Sequence, residues 1–369
     1  MRLLLYKLAS FFYHLGTKCI NLILLPFGKQ YYSAQCYFPE YLDRRKSKFY
    51  ILLDQYAHVL KYGRPNSFYF LYGLDIKGLN RSGDFVDCNL FIRRREEMNR
   101  RFCEYPPIGV LRDKSLFGVV AEGFGIRTPN NIGIIKNGIV YMFEKKCKMP
   151  LSEFIEQNDE CDAFIKRIDG ECGDGVFHIH ISDGMIRYKN EQLNTDIFNK
   201  QDRYLIQDAI KGQHHDISII YPKAINTLRL VTVLNPQTKD IEVMTCVLRV
   251  GKGENQVDNW AMGGLSIGVD LEKGTLRKYG FYKPGFGTKA TEHPDSHVVF
   301  DGYKIPYLQE AINQAKTLHG HLYGIHSIGW DIAITEDGPC FVEGNDNWEI
   351  SLMQISNHGL QKEFKQLFY

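Results

Sequence analysis

Two short apolar segments within residues 328–345 flank an Asp-Gly turn. That arrangement predicts a β-hairpin. Each strand of the hairpin carries one carboxylate, Asp331 or Glu343, at a position where an apolar residue is expected. If Gly338 forms a β-bulge, the register shifts by one residue and Glu343 lies opposite Asp331. The hairpin therefore predicts a buried pair of acids.

The two acids predict a magnesium site. Two carboxylates held together in a sheet repel each other, and burial makes the repulsion costly unless a cation neutralises them. Asn345 lies two residues beyond Glu343 and adds a neutral oxygen on the same side of the strand. Oxygen ligands with room for water and phosphate suit Mg²⁺ better than Zn²⁺. Solvent-facing acids are the alternative, but the apolar frame favours burial.

A glycine-rich loop follows a second predicted strand. Lys166 stands at the end of that strand, and the loop contains Gly170, Gly173 and Gly175. Glycines let backbone N–H groups turn toward phosphate oxygens, and a lysine supplies a point charge. Glycine loops are also common in ordinary hairpins, and the Gly-Lys-Ser/Thr of a Walker loop is absent. Alone, the segment is weak evidence for a phosphate site.

An arginine interrupts a third apolar strand. Arg229 alternates with Leu228 and Leu230 on the predicted strand 227–233, so it faces the opposite side. An arginine in such a strand needs an anion, and its planar guanidinium suits a phosphate or acyl-phosphate oxygen. A structural ion pair is the alternative interpretation.

The order of the predicted elements indicates an α+β fold. Asp113 is expected to cap a helix that ends near Gly123, a Gly- and Asn-rich loop is expected at about 251–290, and a helix at 307–319. The predicted strands are 139–144, 163–167, 176–181, 205–207 and 227–233. Helices and antiparallel strands therefore mix without a βαβ rhythm.

Composition excludes some classes of protein. A formal charge of +2 over 369 residues is too balanced to indicate a nucleic-acid partner. The 9 cysteines include no Cys-x-x-Cys pair, which predicts reduced thiols rather than a disulfide framework or a zinc ribbon. Reduced thiols favour a cytoplasmic location.

Residues 1–27 are largely apolar, but Lys7 and Lys18 leave no uncharged stretch near the roughly 18 to 20 residues that span a bilayer. We expect no signal peptide, because a small-residue cleavage site is missing. One helical face would carry Leu4, Leu8, Phe11 and Leu15. Such a stripe fits a helix packed on its own domain, or an interfacial helix that contacts the inner membrane. The packed helix is the favoured interpretation.

Histidines recur at strand-like spacing. His178 and His180 share one face of a predicted strand, and His319 and His321 repeat the spacing. Such pairs can bind zinc. Because the magnesium set already accounts for the chemistry, structural or solvent-facing histidines are favoured.

Together these segments resemble the ATP-grasp superfamily, and more narrowly its branch associated with sugar-transfer and capsular-polysaccharide genes. The resemblance covers about residues 105–350 and rests mainly on Asn226-Thr227-Leu228-Arg229 and on the hairpin from Gly329 to Asn345. It implies an ATP-grasp fold whose two α+β subdomains clasp ATP. The implied parts are a helix-rich N-terminal region at 1–105, a small lid subdomain at 106–210, and a large subdomain with the magnesium site at 211–369.

The resemblance also implies a role for individual residues. Lys114 and Lys166 would hold the α- and β-phosphates, and the backbone of Gln207 to Ile210 would meet adenine. Arg229 and Lys166 would act in catalysis. Asp331, Glu343 and Asn345 would bind two Mg²⁺ ions, with Glu343 bridging. The complete set of implied nucleotide contacts is Lys114, Lys166, Gly170, Gly173, Gly175, Gln207, Asp208, Ile210, His215 and Asn226.

The implied activity is ATP-dependent ligation of a carboxylate and an amine through an acyl phosphate. The carboxylate would belong to a uronic-acid sugar of a surface polysaccharide or its precursor, and the amine to an amino acid or amino alcohol. Two alternatives stay open: a peptide or small-molecule amide ligase without a glycan, and an inactive nucleotide-binding scaffold. The sequence departs from the pattern at Gly329, where some such ligases have arginine, and at Arg167, where proline is usual.

Overall fold

Two antiparallel sheets form the centre of the molecule. The computed structural model describes residues 15–170, 175–189, 191–254, 258 and 260–369. Its helices are α1 (residues 15–24), α2 (Lys48–Tyr62), α3 (Cys88–Phe102), α4 (Gly109–Arg112), α5 (Lys114–Gly123), α6 (Leu151–Gln157), α7 (His215–Ser218), α8 (Leu308–His321), α9 (Ile350–Ser356) and α10 (Gln361–Phe368). Short 3₁₀ segments cover Leu25–Phe27, Lys29–Tyr31, Pro39–Arg44, Ser82–Asp84, Thr195–Asn199 and Trp260–Met262.

The first sheet is built from β1 (Asn131–Lys136), β2 (Ile139–Met142), β3 (Cys147–Pro150), β4 (Cys161–Arg167), β5 (Val176–Ser182), β6 (Met185–Tyr188), β7 (Glu191–Gln192) and β8 (Arg203–Asp208). Its strand order is β3-β2-β1-β8-β4-β5-β6-β7. On β4, Ala163 and Ile165 are buried in the core of this sheet. Because side chains alternate along a strand, Asp162, Phe164 and Lys166 lie on the opposite face.

The second sheet contains β9 (Thr227–Leu234), β10 (Ile241–Val250), β11 (Leu265–Asp270), β12 (Thr275–Tyr282), β13 (Lys289–Ala290), β14 (Ser327–Thr335) and β15 (Gly338–Asn345). Its order is β13-β12-β11-β10-β9-β14-β15. Leu228 and Leu230 pack with α5 and α8 on one face, whereas Val231 and Val233 pack with α3, α9 and α10 on the other. Both faces of the sheet are therefore covered by helices.

Helix α5 begins where the sequence predicts. The Asp113 carboxylate accepts hydrogen bonds from the backbone N–H groups of Ser115 and Leu116, and the helix ends at Gly123. Phe117 of this helix belongs to the core that covers the second sheet. Helix α8 also confirms its prediction, and the predicted strands overlap β2, β4, β5, β8 and β9. The mixture of two antiparallel sheets and helices confirms the α+β class.

The prediction of a loop at 251–290 is wrong, because this range contains β11, β12 and β13. Small residues conceal β11 in the sequence, since Ser266 and Gly268 stand among its apolar residues. Their size has a packing reason: a Cβ atom at Gly268 would lie 2.2 Å from the carbonyl oxygen of Ser356 in α9. The close approach of α9 thus requires glycine there.

The N-terminal stripe lies mostly outside the described residues, which include only Leu15 of its four members. Leu15 is 46% exposed. Further along, Ile20, Ile23, Leu24 and Phe27 are also exposed. None of the helices in the described part of the chain is both long and apolar enough to cross a membrane.

Candidate active site

The hairpin β14–β15 brings the two acids together. Asp331 pairs with Glu343 across the strands, which confirms the predicted register. The predicted cause is wrong, however. Gly338 pairs regularly with Thr335, and the irregularity falls between Asp331 and Ile332, where Ile332 pairs with Phe341. Val342 is therefore the extra residue, and the bulge lies next to the acid rather than at the turn.

Burial and proximity give the two acids different proton affinities. Burial raises the pKa of Glu343 above its ordinary value, and the neighbouring Asp331 carboxylate raises it further. Burial also acts to raise the pKa of Asp331, but Arg229 and Arg249 outweigh it and lower that pKa to about 2. Asp331 therefore loses its proton more readily than Glu343, and Glu343 is the acid whose charge is less well compensated.

Arg229 holds Asp331 through both carboxylate oxygens. Its Nε donates to Oδ1 in a short hydrogen bond, and its Nη2 lies 2.8 Å from Oδ2. The two residues pair directly across β9 and β14. From the sequence, Arg229 could serve a phosphate or a structural ion pair. The structure contains the ion pair, and this partly buried guanidinium lies next to the acids.

Arg249 is a site residue that the sequence analysis missed. Its Nη2 lies 3.0 Å from Oδ2 of Asp331 and 3.5 Å from Oδ2 of Asp258. It also donates to the hydroxyl of Thr227 at 2.7 Å. The same pattern that identified Arg229 was available, since Arg249 interrupts an apolar strand between Leu248 and Val250.

Asp258 completes this buried polar cluster. Its Oδ2 accepts the backbone N–H of Thr227 at 3.0 Å and, in a shorter contact, the Thr227 hydroxyl. Burial raises its pKa above the ordinary value, although Arg249 acts in the opposite direction. Three carboxylates and two arginines thus share one region of the second sheet.

Asn345 stands beside the acids, as its spacing predicts. Its Nδ2 donates to Oε1 of Glu343 at 3.2 Å and to the carbonyl oxygen of Gly329 at 3.4 Å. Among the described residues, no basic side chain lies within ion-pair distance of Glu343. Glu343 is partly buried and lacks such a partner, and together with a second acid and an amide it forms an oxygen donor set that fits Mg²⁺.

Lys166 approaches the acids from the first sheet. Its Nζ donates to Oε1 of Gln207 at 2.7 Å. Burial and the charge of Lys114 lower its pKa, whereas Glu343 and Asp331 act to raise it, with a result of about 8. Charges on both sheets therefore act on one another across the space between them.

Lys114 contacts the backbone where the glycine-rich loop begins. It is the first residue of α5, and its Nζ donates to the carbonyl oxygens of Gly170 at 2.6 Å and Ile168 at 3.5 Å. Gly175 adopts a φ of +66°, where a Cβ atom would lie 2.9 Å from Cβ of Arg167. Gly173 lies outside the described residues. The Gly170 end of the loop thus lies beside Lys114, and the Gly175 end lies beside Arg167.

The predicted adenine hinge, Gln207 to Ile210, covers the end of β8 and the two residues after it. Gln207 is buried and donates to Oδ1 of Asn131 at 2.9 Å, so its side chain links β8 to β1 as well as to Lys166. Oδ2 of Asp208 accepts from Nδ2 of Asn130 at 2.9 Å. Ile210 follows two residues later and is partly exposed. The side chains of Gln207 and Asp208 thus bond within the protein, and the backbone contact with adenine stays a prediction.

His215 and Asn226, which the family resemblance implies as nucleotide contacts, make hydrogen bonds within the protein instead. His215 is exposed, and its backbone N–H donates to Oε1 of Glu336 at 2.7 Å. Asn226 is only 1% exposed, and its Nδ2 donates to the carbonyl oxygens of Tyr221 at 2.8 Å and Ile217 at 3.2 Å. Asn226 therefore holds the chain after α7, and its amide nitrogen has no remaining role for a nucleotide.

The histidine pair of α8 is not a metal site. Nε2 of His319 donates to the carbonyl oxygen of Ile325 at 2.8 Å, and Nδ1 lies 2.7 Å from Oγ1 of Thr232. Burial lowers the pKa of His319 to about 4, so it is a neutral core residue. His321 stacks instead on Phe124. For this pair the structural interpretation is confirmed.

One antiparallel sheet carries the acid pair, and Lys166 on the other sheet lies within electrostatic reach of it. This arrangement of two sheets is the architecture of the ATP-grasp class. A family model described as "Sugar-transfer associated ATP-grasp" matches residues 93–367. The chain therefore belongs to the sugar-transfer associated ATP-grasp family, whose superfamily uses ATP and Mg²⁺. A comparison with curated proteins found no match.

Solved structures with ATP-grasp folds are similar at low identity. A D-Ala:D-Ser ligase, VanG, from Enterococcus faecalis is 12% identical, with a TM-score of 0.40, and the match covers 70% of this chain and 62% of that one. A carboxyaminoimidazole ribonucleotide synthase from Aspergillus clavatus, complexed with ATP, is 13% identical, with a TM-score of 0.39 and coverages of 69% and 52%. An ADP complex of PurK, an N5-carboxyaminoimidazole ribonucleotide synthetase, is 12% identical, with a TM-score of 0.39. That match covers 67% of this chain and 47% of the other. This chain thus spans about half to two thirds of their length.

Proposed function

We propose that this protein is an ATP-dependent carboxylate–amine ligase that forms an amide through an acyl phosphate. The observation that carries the proposal is the pairing of buried Asp331 with Glu343, next to Asn345 and within the electrostatic reach of Lys166. A buried acid pair costs free energy in the absence of a cation. An acid pair that can hold magnesium, close to lysines that can hold phosphates, is what a magnesium–nucleotide site needs.

Lys114 and Lys166 are assigned to the nucleotide phosphates. Each currently donates to a neutral oxygen of the protein, Lys114 to backbone carbonyls and Lys166 to the Gln207 amide. A phosphate oxygen is a stronger, charged acceptor, so both contacts can be exchanged for it at little cost. The segment from Gly170 to Gly175 would then close over the phosphates, and the backbone of Asp208 to Ile210 would bind adenine.

Asp331, Glu343 and Asn345 are the residues that would hold Mg²⁺, and we propose two ions. When bound, Mg²⁺ would neutralise negative charge on the phosphate oxygens. The same residues explain why both arginines are close: Asp331 stays ionised and oriented by Arg229 and Arg249 before any cation arrives. Glu343, whose pKa burial raises, is the acid that gains most from a cation.

The chemistry proceeds in two transfers. An oxygen of the substrate carboxylate attacks the γ-phosphorus of ATP, the bond to the β,γ-bridging oxygen breaks, and ADP leaves. The amine nitrogen then attacks the acyl carbon, the bond from that carbon to the phosphate oxygen breaks, and inorganic phosphate leaves as the amine loses a proton. Arg229 is assigned to the oxyanion of the second step, which needs one Arg229 nitrogen to turn from Asp331 toward the substrate.

The proposed substrates are a uronic-acid sugar of a surface polysaccharide or its precursor, and an amino acid or amino alcohol. Membership of the sugar-transfer associated family supports the sugar. A peptide or small-molecule amide ligase is the second candidate, favoured by the complete set of ligase-type residues, which does not itself require a glycan. An inactive scaffold is the third, and the retained acid pair argues against it.

The test is phosphate release from ATP and Mg²⁺ with uronic-acid sugars crossed against amines. The parent is compared with Glu343→Gln and with Glu272→Gln, the same substitution in an exposed turn. We expect release that requires one sugar and one amine, persists in Glu272→Gln and is lost in Glu343→Gln. Release that needs only non-sugar carboxylates would favour the second candidate. ATP binding without release on any substrate would favour the scaffold.

Contact of residues 1–27 with the inner membrane stays the second interpretation, after a helix packed on its own domain. The exposed apolar side chains of Ile20, Ile23 and Phe27 support it, since an interfacial helix buries such residues in lipid. Deletion of residues 1–27 should abolish co-sedimentation with anionic liposomes while phosphate release persists. Equal co-sedimentation of both forms would contradict the prediction.

A further inference from the structure

A second cluster of metal-binding groups lies on the first sheet, apart from the acid pair. It consists of Asp162 on β4 and of His178 and His180 on β5. His180 pairs directly with Asp162, and His178 pairs with Phe164. Because cross-strand partners share a face and side chains alternate along a strand, all three groups project to the same side of the sheet.

The three groups converge on one carboxylate oxygen. Nε2 of His178 lies 2.7 Å from Oδ1 of Asp162, and Nδ1 of His180 lies 3.3 Å from the same atom. One ligand atom from each residue can be chosen so that all lie within 4.8 Å of one another. Zinc bonds of roughly 2.0 to 2.2 Å place tetrahedral ligand atoms about 3.4 Å apart, so small side-chain rotations would admit an ion.

Neighbouring contacts hold the ligands in place. The ring of His178 stacks on Phe164 at a centroid distance of 4.5 Å and an angle of 8°. The backbone carbonyl of Asp162 accepts the N–H of Ala209 at 3.1 Å, which anchors this end of β4 beside the segment that follows β8. The cluster is also accessible, since the side chain of His180 is 54% exposed.

We propose that Asp162, His178 and His180 form a binding site for a divalent transition-metal ion of the Zn²⁺ class. Two imidazoles and one carboxylate are ligands that Zn²⁺ and its neighbours prefer, whereas Mg²⁺ prefers oxygen atoms alone. The chain thus carries two sites of different chemistry: an oxygen site at Asp331 and Glu343, and a nitrogen-containing site on the first sheet. With three protein ligands, the second site keeps coordination positions for water or an added ligand.

The test is metal titration of the tag-free, chelator-treated full chain. Co²⁺ is followed by its visible absorption, and Zn²⁺ by calorimetry and by displacement of Co²⁺. The variants are His178→Asn, His180→Asn and Asp162→Asn. The matched control is His297→Asn, since exposed His297 also pairs with an acid, with Nδ1 3.1 Å from Oε1 of Glu292. The backbone of His297 has a φ of +58°, which asparagine tolerates well.

We expect one equivalent of Zn²⁺ on the parent, the control and Glu343→Gln, and loss of that equivalent in each of the three ligand variants. Thermal unfolding without metal checks that the variants are folded. An equivalent that survives in the His178 and His180 variants, or that disappears in Glu343→Gln, would overturn the proposal. Because no step uses ATP, this test is independent of ligase activity.

Discussion

Arg249 and Asp331 form an ion pair across an intervening strand. Their strands, β10 and β14, are not neighbours, since β9 lies between them. Nη2 of Arg249 nevertheless lies 3.0 Å from Oδ2 of Asp331 and contacts Thr227 of β9 on the way. One buried arginine thus ties three strands to the proposed magnesium ligand.

Replacement of Arg249 by methionine should destabilise the protein. The change leaves Asp258 without its guanidinium partner and Asp331 with Arg229 alone, and breaking a buried pair from one side costs about 3 kcal/mol. Urea unfolding measures the loss. Arg101→Met, at an exposed position of α3, is the control and should change stability little. A variant as stable as the parent would show that Arg249 is dispensable for the fold.

Glu343→Gln should separate stability from activity. Burial and Asp331 hold the pKa of Glu343 above its ordinary value of 4.5, so the ionised form is disfavoured in the folded protein. Ionised Glu343 therefore lowers the free energy of unfolding. This loss of stability is fully present at a pH above the folded-state pKa and absent at a pH below 4.5. The variant should therefore unfold at a higher temperature than the parent at pH 7 without magnesium, and should lose this advantage near pH 4.

The same variant should lose turnover by on the order of 100-fold or more, the scale of a lost electrostatic contact in a transition state. Thermal scans with and without Mg²⁺ and ATP provide the check. Nucleotide should raise the unfolding temperature of the parent more than that of Glu343→Gln. Equal shifts in both proteins would mean that Glu343 does not serve the nucleotide complex.

ATP affinity should fall as the pH rises through about 8, because burial and Lys114 lower the pKa of Lys166 to about 8. Above that pH the nucleotide-free protein holds Lys166 largely neutral, and a phosphate then loses its charged partner. Binding should weaken by up to about tenfold per pH unit above the pKa. Lys166→Arg should bind ATP with little pH dependence, since arginine stays protonated.

Equilibrium dialysis with ATP between pH 7 and pH 9.5 measures this pH dependence. By the same proton linkage, the affinity of the parent for ATP should fall on the order of 30-fold over this range. Lys316→Arg, on the exposed side of α8, is the matched control and should behave like the parent. A parent whose affinity is flat over the range would show that Lys166 does not carry the phosphate.

Gly329→Ala should be poorly tolerated. A Cβ atom at residue 329 would lie 2.7 Å from Cβ of Trp348 and 3.4 Å from Cδ of Arg229. Trp348 is buried, so the core cannot yield easily, and overpacking typically costs about 1 to 3 kcal/mol. Gly320→Ala, where no atom lies within 4 Å, is the control. Chemical unfolding measures the stability of both variants. If Gly329→Ala were as stable as Gly320→Ala, the packing argument would be contradicted.

The same contact explains a departure noted in the sequence. Some related ligases have arginine where this chain has Gly329, and here Trp348 occupies the space that a longer side chain would need. Arg229, on the neighbouring strand, brings a guanidinium to Asp331 instead. The direct pairing of Arg229 with Asp331 across β9 and β14 places the guanidinium there.

Local patterns predicted the parts of the fold that local chemistry determines. The cap at Asp113, helix α8 and the pairing of Asp331 with Glu343 follow from short-range sequence features. Strand β11 was not predictable in the same way, because its serine and glycine are suited to contacts with α9, nearly 90 residues further along the chain. Arg249 is a different case, because it shows the same local pattern as Arg229, an arginine between two apolar residues of a strand, and was predictable from it.

The extra residue in the hairpin has a consequence for comparing this chain with others. Val342 has no partner on β14, whereas Phe341 and Glu343 both do. A related chain that lacks the bulge would keep its acid opposite the aspartate while being one residue shorter. An alignment that forbids a gap at residue 342 would set Glu343 against the wrong position, and the acid pair would go unnoticed in a relative that has it.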